Sequence, residues 1–348
     1  MLLYDTNNGN LIESLRGHKD TVYSVSYSSD GTHFASGGAD NVVVIWKASG
    51  QGRLKYNHSS PIQRVVYNPA SFQLASCSDT DFGLWSPDQK SVVKEKVGSK
   101  ILSAAWSSDG TTLAVGMLNG TISLRNQQAE ETHRIDRKFP VWCLAFVPNP
   151  HPAKISSSTE GEMVVTGSWD KNLTFYRILN NGQHKAHTER NLKFLPTSII
   201  LAGSNGTGTS SNSKNHYLII TGSNKKVALY SKEGIRLAEL ATKDSWVWAG
   251  DYHAGTERVI MGTNAGGVEL LQLNYDTIHA LYREKYAYRE NLTDIVIHHL
   301  VGDRKVRIKC KDIIRRISLY RNKLAVQVRR TLYCYTVSVF FHVEWCIR

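Results

Sequence analysis

The stretch Gly17-His-Lys-Asp-Thr-Val-Tyr-Ser-Val-Ser-Tyr27 opens a segment that ends at Trp46 and recurs along the chain. Within it, a short apolar strand ends in an aromatic residue and runs into a polar turn, Ser28-Ser-Asp-Gly31. The aromatic residue recurs at steps of 40, 39 and 40 residues, at Tyr67, Trp106 and Phe146. This fixed period predicts one unit of short strands repeated along the chain.

A repeat of about 40–45 residues built of short strands is the sequence pattern of a WD40 β-propeller blade. Full copies begin near residues 21, 61, 100, 139, 195 and 246. Before them, Leu2–Asp5 and Leu11–Leu15 match the last two strands of a blade without its first two. We therefore predict an all-β WD40 β-propeller of six full blades plus a partial opening blade. The ring should be under-closed, and Thr293–Leu300 is a candidate to cover one open edge.

The first copy carries the complete WD40 signature in His18, Ser36, Asp40 and Trp46. In this pattern the Trp indole N–H donates to the Ser hydroxyl, the Ser bonds the His, and the turn Asp holds the His. A buried polar group left without a partner costs about 1–3 kcal/mol, so the set should lock the turn to the third strand. A His–Ser–Asp trio can suggest a hydrolase triad, but the repeat accounts for it. We expect a structural role without chemistry, and no later copy repeats the Gly-His pair.

Three tryptophans, Trp142, Trp246 and Trp248, lie at or near the start of first strands, close to one rim of the predicted ring. Two interpretations are open. One is packing between blades, and the other is contact with a partner, because exposed aromatic residues are favoured binding anchors.

The net charge of +12 is concentrated in one stretch of the chain. From Arg304 to Arg330 there are eleven Lys and Arg and one acid, Asp312. This stretch therefore contributes +10 to the net charge. The stretch alternates with apolar residues and predicts strands with one basic face. An alternative function is therefore a general WD40 interaction module that binds RNA or anionic lipid through this face. No aromatic residues interleave the basic ones in a stacking pattern, which disfavours nucleic acid.

Enzyme chemistry has no support in the sequence. His184 and His187 have no third metal ligand placed by the sequence, and Asp251 and His253 fall where other copies carry turn residues. The five cysteines are scattered without a CxxC pair, which suggests a reducing compartment. No apolar run reaches transmembrane length. We expect a chain that is not an enzyme, with no cofactor, metal or small-molecule substrate.

Three runs that are not part of the general WD40 pattern narrow the assignment: Asp81–Pro87, Tyr286–Glu290 and Lys305–Lys311. They resemble the WD-repeat intraflagellar transport 122 family, whose members are subunits of intraflagellar transport complex A. The resemblance implies a scaffold in retrograde intraflagellar transport, cilium assembly and ciliary protein trafficking. It implies other complex A subunits and ciliary cargo adaptors as partners. The implied location is the cilium and its base, cytoplasmic and associated with the cytoskeleton.

The same resemblance implies two propellers followed by a helical tail. On this basis we expect a WD40 β-propeller over residues 1–291. Residues 292–348 would be the incomplete start of a second propeller with a divergent C-terminal tail. The chain would then be a fragment or a truncated gene product.

Overall fold

The computed structural model describes residues 1–87, 92–148, 160–179, 184–204, 215–274, 278–301, 304–337 and 343–346. These residues form 33 β-strands, each paired antiparallel with its neighbour in the chain. None of them lies in a helix long and apolar enough to cross a membrane.

The chain opens with a two-stranded sheet, β1 (Leu2–Tyr4) and β2 (Leu11–Ser14). Five four-stranded sheets follow: β3–β6 (Val22–Tyr27, His33–Gly38, Val42–Lys47, Gly52–Asn57), β7–β10 (Ile62–Tyr67, Leu74–Ser78, Asp81–Trp85, Val93–Lys96), β11–β14 (Ile101–Trp106, Thr112–Met117, Thr121–Asn126, Glu131–Asp136), β15–β18 (Val141–Val147, Glu160–Ser168, Asn172–Leu179, His184–Asn191) and β19–β22 (Pro196–Ser204, Asn215–Gly222, Lys226–Ser231, Arg236–Thr242). A sixth sheet has three strands, β23–β25 (Val247–His253, Arg258–Thr263, Val268–Gln272).

The first strands of these six sheets lie side by side, from β3 through β7, β11, β15 and β19 to β23. The sheets therefore stand around one central axis, and the predicted all-β WD40 propeller is confirmed. Neighbouring sheets pack face to face, so β4 and β8 are buried along almost their whole length. The outer strand β10 is exposed throughout. Apolar residues of adjacent sheets, such as Ile45 and Ile62, share one cluster in the core.

The opening sheet β1–β2 lies at the seam between the three-stranded sixth sheet and the first four-stranded sheet. Leu15 packs against Phe34 and Trp46 on one side. On the other side, Arg258 donates to the carbonyl of Thr6 at 3.2 Å. Here β23 and β3 do not pack against each other as the other first strands do. The described part of the ring is therefore under-closed at this seam.

A second unit begins at β26 (His279–Tyr282), which pairs with β27 (Lys285–Arg289), β28 (Asp294–His299) and β29 (Arg304–Lys309). A further sheet follows, β30–β33 (Arg316–Tyr320, Lys323–Gln327, Leu332–Val337, Val343–Cys346), with β30 beside β26. The new sheet starts earlier than the expected boundary at 291/292, because β26 and β27 extend it on the N-terminal side.

The expectation that Thr293–Leu300 covers an open edge of the ring is wrong. This segment forms β28, and β27 and β29 already occupy both of its edges. The second unit instead touches the fifth sheet of the propeller. The amide of Leu292 donates to the hydroxyl of Tyr217 at 3.0 Å, and Ile313 packs in the same cluster as Leu237.

Candidate protein-binding face

The first strands of all six propeller sheets share an irregularity at their second residue. In each, the pairing register shifts between the first and the third residue, so the second residue stands outside the regular ladder. Bulges of this kind re-aim a side chain. The six residues follow one another around the mouth of the central channel, and we call them the bulge ring: Tyr23, Gln63, Leu102, Trp142, Thr197 and Trp248.

Two members of the bulge ring and two nearby tryptophans form a contact chain across the fourth, fifth and sixth sheets. The rings of Trp142 and Trp248 have centroids 6.2 Å apart, although a whole sheet separates their strands in the chain. The intervening fifth sheet carries the small residue Thr197 at this position, and it is buried. Trp246 continues the chain at 5.6 Å from Trp248. The structure therefore brings all three predicted tryptophans together.

Trp169 is a fourth member that the sequence analysis did not single out. It follows β16, and its ring stacks on Trp142 at a centroid distance of 5.6 Å. Its side chain is 49% exposed. The signal was present in the sequence, because Trp169 stands directly before Asp170 in the turn that faces the same rim. We call Trp142, Trp169, Trp246 and Trp248 the tryptophan cluster.

Hydrogen bonds to Asn264 hold two members of the cluster in place. The amide of Asn264 donates to the carbonyl of Trp246 at 2.8 Å. The side-chain oxygen of Asn264 accepts from the indole of Trp248 at 2.9 Å. Both Trp246 and Trp248 remain more than one-third exposed. The cluster thus makes contacts between sheets, as one interpretation expects, and also presents aromatic surface, while contact with a partner stays a prediction.

The WD40 signature residues of the first sheet stand in one hydrogen-bonded chain. His18 Nδ1 lies 3.0 Å from Asp40 Oδ1, and His18 Nε2 lies 2.7 Å from Ser36 Oγ. The indole of Trp46 donates to Ser36 Oγ at 2.8 Å. Burial raises the pKa of Asp40, but hydrogen bonds from His18 and from two backbone amides outweigh it, and the pKa is lowered overall.

A second network of the same form, built on His58, was not predicted. His58 Nδ1 lies 2.7 Å from Asp81 Oδ1, and His58 Nε2 lies 2.8 Å from Ser76 Oγ. Tyr56 donates to Ser76 from the fourth strand of the preceding sheet. The sequence feature that marks this network is the spacing between His58 and the following strand, not a Gly-His pair. His58 precedes Ile62 by the same four residues that separate His18 from Val22, but no glycine stands before it.

In the fourth sheet an arginine occupies the histidine position. Arg137 stands four residues before Val141. Its guanidinium donates to Thr166 Oγ1 at 2.9 Å and to Ser168 Oγ at 2.7 Å, and pairs with Asp170 at 3.2 Å. One longer side chain thus joins the turn to the second strand, as the histidine does elsewhere.

The residues weighed as catalytic candidates are not assembled into a site. His253 Nδ1 lies 3.0 Å from Thr256 Oγ1 of its own turn, and Asp251 Oδ1 accepts from the backbone amide of Tyr252 at 2.8 Å. His184 meets the rings of His133 and Tyr176. Among the described residues, no group of three or more His, Cys, Asp or Glu is placed to hold a metal ion.

The basic stretch from Arg304 to Arg330 is divided between two sheets and the turns that join their strands. Arg307 pairs with Glu290, and Lys309 lies 3.3 Å from Glu233. Arg321 stands in the turn after β30, whereas Arg329 and Arg330 stand in the turn after β31, at the opposite end of the sheet. Within β29 the alternation holds, because Lys305, Arg307 and Lys309 are exposed and Ile308 between them is buried.

Comparison with known proteins places the chain in a family. The family described as the IFT122 first beta-propeller matches residues 1–272, and the one described as the IFT122 second beta-propeller matches residues 279–342. The intraflagellar transport protein 122 homolog of Danio rerio is 41% identical over 339 residues, which cover 96% of this chain and 27% of the relative. The homolog of Homo sapiens is 36% identical over 391 residues, which cover 96% of this chain and 30% of the relative. The chain spans less than a third of the length of these relatives.

Solved structures agree with the fold. The Cps50 (Swd1) propeller of Myceliophteria thermophila covers 78% of this chain and 90% of its own, with a TM-score of 0.61 and 14% identity. A chain of a mitotic checkpoint complex has a TM-score of 0.64 at 16% identity, and the match covers 79% of this chain and 81% of that one. At these identities the likeness shows the fold alone. With both propeller matches and relatives of up to 41% identity, this chain belongs to the intraflagellar transport protein 122 family.

Proposed function

We propose that this chain acts as a non-catalytic WD40 scaffold in intraflagellar transport complex A, in retrograde transport, cilium assembly and ciliary protein trafficking. Its partners are other subunits of that complex and ciliary cargo adaptors, met at the cilium and its base. Family membership supports the pathway. The observation that carries the binding mode is the tryptophan cluster, since large exposed aromatic side chains on one face of a monomer mark interaction sites.

The surroundings of the tryptophan cluster indicate the kind of partner segment it binds. Phe139, three residues before Trp142 in the chain, is 48% exposed and adds an apolar side chain to the turn that leads into β15. The turns of the fourth and fifth sheets on this rim carry exposed lysines, namely Lys138, Lys171, Lys193 and Lys225. Asp244 is an exposed acid in the turn that leads into the sixth sheet. A segment with an apolar or aromatic anchor and flanking acidic residues therefore fits this face best, because apolar burial supplies affinity and charge sets orientation.

The test is proximity labelling in ciliated cells with the full chain and with the double variant Trp169→Ser/Trp246→Ser. Both side chains are exposed, so the fold should persist. We expect the wild-type chain to label intraflagellar transport subunits and the variant to label them several-fold less.

Phe72→Ser is the matched control. Phe72 is an exposed aromatic residue in the turn after β7, at the opposite end of the strand from the bulge ring. Its labelling should equal that of the wild type. Recovery of nuclear or ribosomal proteins without intraflagellar transport subunits would defeat the pathway assignment. Equal loss in Phe72→Ser and the double variant would defeat the assignment of the tryptophan face.

A further inference from the structure

The second unit presents a surface of mixed chemistry at the end that points away from its contact with the propeller. Two neighbouring hairpin turns there carry the same pattern, Tyr282-Arg-Glu-Lys285 and Tyr320-Arg-Asn-Lys323. In both, the arginine has a positive φ, a backbone conformation that favours glycine. The contact with the propeller, through Leu292 and Ile313, lies at the other end of the same strands.

The two turns touch. The rings of Tyr282 and Tyr320 meet edge to face at a centroid distance of 5.1 Å. Lys285 Nζ donates to Asn322 Oδ1 of the neighbouring turn at 2.8 Å. The repeated pattern therefore forms one surface and not two separate tips.

Positive charge is available on this surface. The Arg283 guanidinium lies 5.6 Å from the ring centroid of Tyr282, and that of Arg321 lies 5.4 Å from the centroid of Tyr320. Within the described part of the chain, neither guanidinium pairs with a carboxylate. Glu284, a carboxylate in the first turn, lies 3.4 Å from His299 Nε2.

Apolar side chains project at the same end. The amide of Leu300, in the turn after β28, donates to the carbonyl of Glu284 at 2.7 Å, which places that turn beside the tyrosines. Leu300 is 50% exposed and Val301 75%. Tyr320 is 59% exposed. Exposed aliphatic tips beside amphipathic rings and free guanidinium groups are the combination that suits a membrane interface.

We propose that this surface binds an anionic lipid bilayer, and we call it the tyrosine–arginine edge: Tyr282, Arg283, Leu300, Val301, Tyr320 and Arg321. The aliphatic tips enter the headgroup region, the tyrosines lie at its depth, and the guanidinium groups pair with lipid phosphates. Nucleic acid fits less well, because single strands stack on open ring faces, and here each tyrosine has its own arginine over it. The assignment is independent of the scaffold function and of the tryptophan cluster.

The experiment is flotation of the full chain with vesicles of phosphatidylcholine alone and of phosphatidylcholine mixed with phosphatidylserine. Binding should need the anionic lipid and fall with added salt. Arg283→Glu/Arg321→Glu should weaken binding at least tenfold, since each basic residue near an anionic surface contributes roughly fivefold. Val301→Asp, which leaves both arginines in place, should weaken it too because it removes an inserted tip.

Arg329→Glu/Arg330→Glu is the matched control, with the same change in charge at the opposite end of the same sheet. It should keep most of the binding. If both double variants lose binding equally, net charge and not the edge is responsible, and the proposal fails. It also fails if the wild-type chain does not bind anionic vesicles, or if Arg283→Glu/Arg321→Glu abolishes binding of single-stranded RNA and leaves vesicle binding intact.

Soluble glycerophosphoserine should not compete with the vesicles for the chain, and full competition by it would show a headgroup pocket instead of a bilayer surface. Far-ultraviolet circular dichroism and melting temperatures of every variant must match the wild type for these comparisons to count.

Discussion

At the scale of single residues, position in the repeat decides what a side chain does more than its identity does. His18 and His58 make the same pair of contacts, to a turn aspartate and a strand serine, although only His18 follows a glycine. Arg137 reaches the equivalent groups from the same position. All three side chains supply hydrogen-bond partners to a buried hydroxyl and a turn carboxylate, which would otherwise be left unsatisfied.

Trp46→Ala should lower the free energy of unfolding by about 3–5 kcal/mol, as expected for a large buried aromatic residue. The indole is buried, and its loss also leaves the Ser36 hydroxyl with one partner fewer. Urea unfolding measures the change. Trp169→Ala, at an exposed position, should cost less than about 1 kcal/mol. Equal costs would contradict a buried network in the first sheet.

The His58 network predicts a dependence of stability on pH. Burial lowers the pKa of His58 below its ordinary value of 6.5, against the opposing effect of Asp81. The unfolded chain therefore takes up a proton first, and the stability contributed by neutral His58 is lost as pH falls below about 6.5 toward the folded value. Urea unfolding at a series of pH values should show this slope in the wild type and a smaller one in His58→Asn. Identical slopes would mean that His58 titrates alike in both states.

At the scale of the sheet, the second-residue irregularity of each first strand links the fold to its surface. A regular ladder would point these side chains along the packed faces between sheets. The register shift places Trp142 and Trp248 in the tryptophan cluster instead, so we expect substitutions at these two residues to change the exposed rim more than the core. Arg137 of the fourth sheet is different, because its side chain bonds residues inside the sheet and its substitution should lower the stability of the fold.

Arg137→Ala should destabilise the chain by about 3–5 kcal/mol, because it leaves a mostly buried Asp170 without its partner. Arg137→His should cost less, since histidine fills this position in the first two sheets. Thermal and urea unfolding report both changes. Arg134→Ala, in the exposed pair with Asp136, should leave stability essentially unchanged. A similar loss in Arg134→Ala would refute the distinction between the two pairs.

At the scale of the whole molecule, the seam at β1–β2 is where the first strand of a sheet is least covered by its neighbours. Tyr23, Val25 and Tyr27 of β3 are each more than half exposed, whereas the equivalent Val65 and Tyr67 of β7 are buried. The difference arises because β7 has the first strands β3 and β11 on its two sides, whereas β3 has β7 on one side and, at the seam, no first strand packed as closely on the other. Exposed strand faces and edges of this kind invite pairing with other chains.

Joining a copy of the β11–β12 hairpin ahead of Leu2 should therefore raise the melting temperature and slow amide exchange in β3. The added strands would cover Tyr23 and Val25 and complete the opening sheet. A flexible Gly-Ser segment of equal length is the control, and it should change neither quantity. Equal melting temperatures for the two extensions would show that the ring closes in another way.

The sequence by itself determined the architecture and the family. Its period of about 40 residues requires stacked sheets, because one unit of short strands cannot bury both of its faces alone. The signature residues His18, Ser36, Asp40 and Trp46 lie where that pattern puts them, since their contacts are local to one sheet. The runs outside the general pattern pointed to the family that the comparisons show.

Tertiary structure decided what depends on distant parts of the chain. Trp142 and Trp248 meet across the intervening fifth sheet, where the small Thr197 holds the equivalent position, and no local pattern encodes that meeting. The split of the basic stretch between two ends of a sheet, and the joining of Tyr282 to Tyr320, follow from strand pairing across whole sheets. Periodicity reports which residues share a face within one element, but contacts between elements depend on how the sheets stack around the axis.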